Sequence, residues 1–222
     1  MDFIETVKGR KSIRGYKPDP VPQKLLREII ETAVRAPSAM NTQPWELTVV
    51  TGEPLENIKK GNIETITGGK GPNPDTPMER YEGIYRERQV GLAKGLFGLL
   101  EISREDREKR MAWTMSGFRF FDAPAAIIVS VDKSLSPAHA FTDMGIIMQT
   151  ICLTAYAHGL GTCIMGQGIM FPEVVRKYTD IPDSKIIFLC TPIGYPDPDF
   201  PANKLVTERA SLKDCARFLG FE

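Results

Sequence analysis

Residues 138–158 read AHAFTDMGIIMQTICLTAYAH, and this stretch is the most apolar helix that the sequence predicts. Apolar side chains recur there at helical spacing, at Met144, Ile147, Met148, Ile151 and Ala155. A helix with so much apolar surface is expected to be buried on more than one side. Other elements of the chain must therefore pack around it.

Short apolar segments predict strands at residues 46–50, 125–131, 162–165 and 185–193. Helices are predicted at 2–9, 23–35, 54–61 and 171–178, with a long helical region over 78–118 that breaks near 102–103. Residues 66–77, rich in Gly and Pro, predict a mobile loop. The strands are short and interspersed with helices, and no repeat or linker is present. This pattern predicts one α+β domain with a central sheet covered by helices.

The composition is that of an ordinary globular protein and excludes several classes. Of 222 residues, 42% are hydrophobic and 25% are charged, which argues against a disordered or multi-span membrane chain. Lys plus Arg number 28 and Asp plus Glu number 28, so the basic surplus typical of duplex nucleic-acid binders is missing. No signal-peptide pattern and no apolar run of about 20 residues is present. We expect a cytoplasmic protein without nucleic-acid or membrane partners.

Few side chains in this sequence carry difficult chemistry alone. The four cysteines lack a C-x-x-C pair, and only two histidines are present. Buried cysteines are the ordinary interpretation of the apolar runs that contain them. We therefore expect no metal site and no catalytic side chain. If the protein is an enzyme, a bound cofactor supplies the reactivity.

Two polar segments suggest ligand binding. Arg10, Lys11, Ser12 and Arg14 place three cations and a hydroxyl within five residues, which suits a phosphate group. An ordinary basic surface segment is the alternative. Residues 37–45 combine a hydroxyl, two amides and tight turns before a strand, which suits the edge of a heterocycle or a ribityl chain. A capped turn with Trp45 in the core is the alternative there.

Four sequence blocks in this order resemble the nitroreductase superfamily of FMN-dependent enzymes. They are RKSIR at 10–14, APSAMNTQPW at 36–45, GLGTCIMG at 159–166 and PIGYP at 192–196. The resemblance extends over nearly the whole chain, to about residue 212. It implies a single FMN-binding domain over residues 1–222, with a central mixed sheet covered by helices. It also implies an intertwined homodimer with flavin sites at the interface.

The resemblance assigns roles to particular positions. Arg10, Ser12 and Arg14 would hold the FMN phosphate, supported by Lys11 and completed by Arg209. The family pattern has two nearby cations at that late position, whereas Thr207 and Glu208 stand beside Arg209 here. Other implied contacts are with the flavin ring: Met165 and Gly166 from the same subunit, and Pro37, Ser38, Ala39 and Asn41 from the partner subunit.

By the same resemblance, NADH or NADPH would give a hydride to FMN and be replaced by an acceptor in ping-pong fashion. The acceptor would be a nitroaromatic or a quinone, and the flavin itself would carry the chemistry. Substrate choice is expected in a lid at about residues 66–121. There Tyr85, Arg86, Arg88 and Trp113 would suit a carboxylated nitroaromatic such as a nitrobenzoate.

Two alternatives stay open at this point. One keeps the fold and changes the reaction, to reductive dehalogenation of iodotyrosine or to flavin cleavage. Residues 81–86 offer the Glu and Tyr typical of the dehalogenases without a well-placed Lys. The other is a flavin-binding protein without catalytic turnover.

Overall fold

A computed structural model describes residues 2–77 and 79–221 of the chain, and Met1, Met78 and Glu222 lie outside them. The predicted start of the long helical region at residue 78 falls on one of these positions; residues 79–82 are not helical, and the first helix of that region begins at Gly83. The helices are α1 (Phe3–Gly9), α2 (Gln23–Ala33), α3 (Gly52–Thr67), α4 (Gly83–Leu99), α5 (Arg107–Phe118), α6 (Pro137–Ala157), α7 (Pro172–Thr179) and α8 (Leu212–Cys215). The strands are β1 (Trp45–Thr51), β2 (Ala125–Asp132), β3 (Gly161–Thr162) and β4 (Lys185–Gly194).

The four strands form one sheet in the order β1-β2-β4-β3, and each neighbouring pair is antiparallel. Ser12 adds a parallel single-residue bridge to Thr162 beside β3. The expected mixed sheet is therefore antiparallel among its strands, with this bridge as a parallel element. β2 is buried from Ala125 to Val131, because helices cover both faces of the sheet.

The alternation of side chains along β2 separates two apolar clusters. Ile127 and Val129 pack with α2 and α6, whereas Ala126 and Ile128 pack with α3 and α7 on the opposite face. The predicted apolar stripe of α6 is fully buried throughout, at Met144, Ile147, Met148, Ile151 and Ala155. The structure confirms the predicted α+β arrangement of a central sheet between helical layers.

Two predicted elements differ in length from those observed. α3 runs over Gly52–Thr67, well beyond the predicted 54–61. β3 covers only Gly161–Thr162 instead of 162–165, because the chain leaves the ladder before it returns. At Met165 it pairs again with Cys190 of β4, through backbone bonds of 2.9 and 3.0 Å. The predicted break in the long helical region lies between the end of α4 and the start of α5.

The segment predicted as a mobile loop is anchored instead. Residues 66 and 67 belong to α3. Asp75 accepts hydrogen bonds from Arg176 Nη2 at 2.6 Å and from the Ile187 amide at 2.8 Å. The Asn73 amide donates to Met170 O at 3.0 Å. Composition alone missed this anchoring, because the partners of Asp75 lie more than a hundred residues further along the chain.

α6 is the most apolar helix of the chain, and its apolar surface faces other protein elements. Within residues 2–77 and 79–221, no helix has both the length and the apolar content required to cross a membrane.

Candidate functional site

The basic residues near the N-terminus line one small cavity. Arg10, Lys11, Ser12 and Arg14 border a cavity of about 190 Å³. Arg209, from the far end of the sequence, lies on the same cavity. The remaining lining comes from α4 and the C-terminal segment, at Leu92, Leu205 and Thr207. The structure thus brings together all five residues that the sequence assigned to an anion site.

Backbone pairing holds the segment that carries these cations. The Ile13 amide donates to Thr162 O at 2.9 Å, and the Ile13 side chain is buried beneath the segment. Gly161 permits this close approach, because a Cβ at that position would lie 2.6 Å from Ile13 Cγ1. The Tyr16 hydroxyl donates to Ile13 O at 2.8 Å. These contacts fix the side chains of Ser12 and Arg14 toward the cavity side of the segment, opposite Ile13.

One polar atom at the cavity has no partner in the protein. Arg10 Nε is buried and makes no hydrogen bond within the described residues. An unpaired buried guanidinium nitrogen is costly unless an acceptor binds it. Arg209 Nη1 has local acceptors, Thr207 Oγ1 at 2.7 Å and the carbonyl oxygens of Thr207 and Glu208 at 3.0 Å. The donor set fits an oxygen-rich anion such as a phosphate.

Buried thiols lie near the cavity, and they are neutral. Burial raises the pKa of the Cys163 thiol, although Arg14, Ser12 and Arg10 each act to lower it. Burial also raises the pKa of the Cys152 thiol to about 11. The interpretation of these cysteines as buried apolar residues is therefore confirmed. No thiolate competes with an anion for the nearby cations at neutral pH.

The amide-rich segment is a strained, exposed turn in a different place. Met40, Asn41 and Gln43 have φ values of 50°, 57° and 46°, and the Met40 side chain is 99% exposed. Ser38 Oγ accepts from the Gln43 amide at 2.9 Å and closes the turn. The predicted residues Pro37, Ser38, Ala39 and Asn41 are not among those that line the Arg10 cavity.

A buried carboxylate on α6 anchors this turn. Asp143 is 3% exposed, and its oxygens accept from the Ala39 amide at 3.2 and 3.3 Å. The carboxylate fixes the first residue of the turn to a helix whose inner face lies in the core. Trp45, which follows the turn, is buried in that same core. The structure thus shows the held turn with Trp45 in the core, and the predicted contact of this segment with a ligand stays a prediction.

Met165 and Gly166 lie beside β4 at a third place. The Met165 backbone pairs with that of Cys190, and Met165 and Gly166 are each partly exposed. Gly166 borders a cavity of about 280 Å³ whose walls include the stacked rings of Phe141 and Phe188, 4.4 Å apart. This cavity offers apolar and aromatic surface next to backbone polar groups, which suits a flat ring system.

The predicted substrate residues are divided between two helices. Tyr85, Arg86 and Arg88 are exposed on α4. Trp113 lies on α5, 5.5 Å from the Phe121 ring, in a cavity of about 460 Å³ that also includes Arg14. Phe118, at the end of α5, is buried and stacked on Phe171. Within one chain, Trp113 is therefore not grouped with the α4 residues.

Comparison with known families shows which family this chain belongs to. A family model described as "Nitroreductase family" matches residues 7–195, which contain the first three sequence blocks and most of the fourth. The chain belongs to the nitroreductase family.

Individual family members are similar over their full length. The chain is 32% identical to a 4-nitrobenzoate reductase of Pseudomonas putida, and the match covers 100% of this chain and 97% of that protein. The FMN- and NADPH-dependent nitroreductase NfnB from Sphigopyxis sp. strain HMH matches with a TM-score of 0.95 and 30% identity, covering 100% of both chains. FMN-dependent NfnB from Mycobacterium smegmatis, solved in complex with NADPH, matches with a TM-score of 0.91 and 27% identity. The match covers 97% of this chain and 96% of that one.

Sequence reasoning missed two residues that organise this nitroreductase-family site. Asp143 anchors the exposed turn, and Asn203 bonds to the backbone of Arg14 and Gly15. Neither stands in a recognisable motif, and each acts across more than a hundred residues of sequence. Among the described residues, no group of three His, Cys, Asp or Glu is arranged to hold a metal ion.

The anchoring of the turn by Asp143 can be tested by hydrogen exchange. Asp143→Leu removes the acceptor for the Ala39 amide, and we expect amides of residues 39–43 to exchange about fivefold faster, the equivalent of ~1 kcal/mol for one hydrogen bond. Asp143→Asn keeps one acceptor oxygen and should leave exchange near that of the wild type. Unchanged exchange in the folded Leu variant would show that Asp143 does not hold the turn.

Proposed function

We propose that this chain is an FMN-dependent oxidoreductase that takes electrons from NADH or NADPH and passes them to a nitroaromatic or quinone-type acceptor. The observation that carries the proposal is the cavity of four cations with the unpaired buried Nε of Arg10. The FMN and NADPH dependence of the similar NfnB enzymes supports it. Bound FMN would supply the hydride-transfer chemistry between the nicotinamide and the acceptor.

In this proposal the N-terminal cavity holds the phosphate of FMN. Arg10 and Arg14 supply guanidinium donors, Ser12 supplies a hydroxyl, and Lys11 and Arg209 add positive charge. The neutral thiols of Cys152 and Cys163 keep the surroundings free of competing anions. The charge of the site is thus fixed before the ligand arrives, which favours binding of the phosphate.

The remaining predicted contacts lie along the flavin ring. Met165 and Gly166 would present backbone groups to one side of it. The exposed turn of a second copy, with Pro37, Ser38, Ala39 and Asn41, would approach from the other side. Its exposure within one chain fits this role. We assign no catalytic acid or base, because the protein contributes orientation and charge stabilisation.

The first test is a visible absorption spectrum of the purified protein with NADH or NADPH in the absence of oxygen. We expect flavin bands near ~450 nm that bleach with a nicotinamide and return when 4-nitrobenzoate is added. Bleaching without recovery by any nitroaromatic or quinone would contradict the acceptor. A colourless protein that takes up no FMN would contradict the whole proposal.

We propose further that α4, within the lid at residues 66–121, selects a carboxylated nitroaromatic. Tyr85 offers an aromatic face and is 64% exposed, while Arg86 and Arg88 offer cations for a carboxylate. Trp113 would contribute from α5 and completes the predicted set. The similarity to a 4-nitrobenzoate reductase supports this substrate class.

Paired substrates test the carboxylate. The double variant Arg86→Ala and Arg88→Ala should lower kcat/KM for 4-nitrobenzoate about tenfold or more, as expected for a lost charged hydrogen bond, and leave nitrobenzene unaffected. Arg104→Ala, an exposed arginine outside both helices, serves as the control. Equal losses on both substrates would mean that the arginines do not recognise the carboxylate.

We propose that the chain works as a homodimer. β1 lies at the edge of the sheet, and a groove of about 580 Å³, lined by apolar residues and by polar and charged ones in similar measure, lies between it and α2. The C-terminal segment carries exposed Phe218, Leu219 and Phe221, with Leu219 85% exposed. Of the residues of α4, only Leu96 is buried. Such exposed apolar segments are typical of chains that pack on a partner, and we assign the C-terminal segment to the groove of a second copy.

Sedimentation measures the dimer directly. Phe218→Ser with Leu219→Ser should weaken dimerisation at least about a hundredfold, because two buried apolar side chains contribute ~1.5–3 kcal/mol each. Met111→Ser, at an exposed apolar residue of α5, is the matched control. An unchanged dimerisation constant in the double variant would contradict the assignment of the C-terminal segment to the interface.

We propose that the protein is cytoplasmic. All four cysteines are free, and three of them are buried. Free thiols and a nicotinamide reductant both fit the reducing cytoplasm.

A further inference from the structure

Asn203 connects the C-terminal segment to the backbone that carries the predicted phosphate ligands. Its Oδ1 accepts from the Arg14 amide at 2.7 Å and from the Gly15 amide at 3.2 Å. Its Nδ2 donates to Gly15 O at 2.7 Å and to Asp197 O at 2.9 Å. One side chain therefore fixes the polar backbone groups on both sides of the Arg14–Gly15 peptide.

The hydrogen-bonding capacity of this amide is fully used by the protein. An Asn side chain has two N–H donors and an oxygen with two lone pairs, and all four are engaged here. Asn203 is 5% exposed and is not among the residues that line the cation cavity. It therefore acts on the backbone of the site and does not contact a ligand itself.

The same residue also sets the opposite wall of the cavity. It belongs to a short turn, Pro201–Lys204, and the chain continues directly into Leu205, Thr207 and Arg209, which line the cavity. Phe200 packs against Gly15 so closely that a Cβ on Gly15 would lie 2.1 Å from its ring. The Asn203 backbone N–H donates to Phe200 O at 3.0 Å. The N-terminal and C-terminal walls of the cavity thus meet at Asn203.

The flavin-ring residues are held by other contacts. Met165 is fixed by its backbone bonds to Cys190, and the 37–43 turn is fixed by Asp143. Loss of Asn203 should therefore affect the phosphate end of the ligand and leave the ring end intact.

We infer that Asn203 is a positioning residue that aligns Arg14 and Arg209 on the phosphate of the flavin cofactor. The inference rests on the proposed function, in which the cation cavity binds that phosphate. It explains how two distant cationic segments are placed around one small cavity before any ligand binds.

The test compares FMN with riboflavin, which is the same ligand without its phosphate. Flavin is removed from each variant, and the affinities of both ligands are measured by fluorescence quenching. Asn203→Leu should weaken FMN binding about tenfold, the effect of one misplaced charged hydrogen bond, and leave riboflavin binding within about twofold. Arg14→Gln should weaken FMN in the same selective way. Asn203→Ala leaves room for water to restore part of the network and serves if the Leu variant does not fold.

The control is a second buried asparagine. Asn62 Nδ2 donates to Phe118 O at 3.0 Å and Gly168 O at 2.9 Å, in the core and away from the cation cavity. Asn62→Leu is expected to lower stability and to change both affinities by the same factor. This separates a general loss of stability from a specific effect at the phosphate.

The outcomes separate this inference from the proposed function. Selective loss of FMN affinity in both Asn203→Leu and Arg14→Gln supports the positioning role. If Arg14→Gln is selective and a folded Asn203 variant is not, the positioning role is overturned while the phosphate site remains. If Arg14→Gln affects FMN and riboflavin equally, the cavity does not bind phosphate, and both claims are overturned.

Discussion

Like-charge repulsion is the constraint that the site must overcome. The chain has no net charge, yet four cationic side chains border a cavity of about 190 Å³. Two like charges 4 Å apart repel by ~4 kcal/mol at the effective dielectric near a protein surface. Uncharged contacts offset this: the Ile13 amide bond to Thr162, the apolar burial of Ile13 and the four bonds of Asn203. Backbone pairing and apolar burial thus keep these cations grouped at the cavity.

What the sequence could predict depends on the range of the interactions. β2 and α6 were predicted because their apolar residues recur at strand and helix spacing over many positions, and the structure buries them as expected. The cations near the N-terminus were grouped correctly because they are adjacent in sequence. Arg209 joined them only through the family resemblance, since its distance of almost 200 residues from Arg10 carries no local signal.

The residues that sequence reasoning missed all act at long range. Asp75, Asp143 and Asn203 are ordinary polar residues, and the bonds by which they hold the loop, the turn and the Arg14–Gly15 backbone span 101 to 189 residues. Asp75 illustrates the consequence. A Gly- and Pro-rich composition predicted a mobile loop at 66–77, but one carboxylate bonded to Arg176 and Ile187 anchors it. A Gly- and Pro-rich composition indicates that a segment lacks regular secondary structure. It does not indicate whether long-range hydrogen bonds fix that segment.

In the proposed homodimer, the distribution of exposed and buried groups would leave each chain alone with an incomplete site. Hydrogen bonds within the protein hold the backbone around the cation cavity, whereas most of the turn at 37–43 and the first two turns of α4 are exposed within one chain. Exposed aromatic residues and strained non-glycine turns raise the free energy of the folded chain. They persist where other contacts compensate for that free energy. A second copy would cover these groups and bring them to a flavin held by its own cation cavity. Binding of the cofactor and association of the subunits would then stabilise each other, because each supplies contacts that the other leaves open.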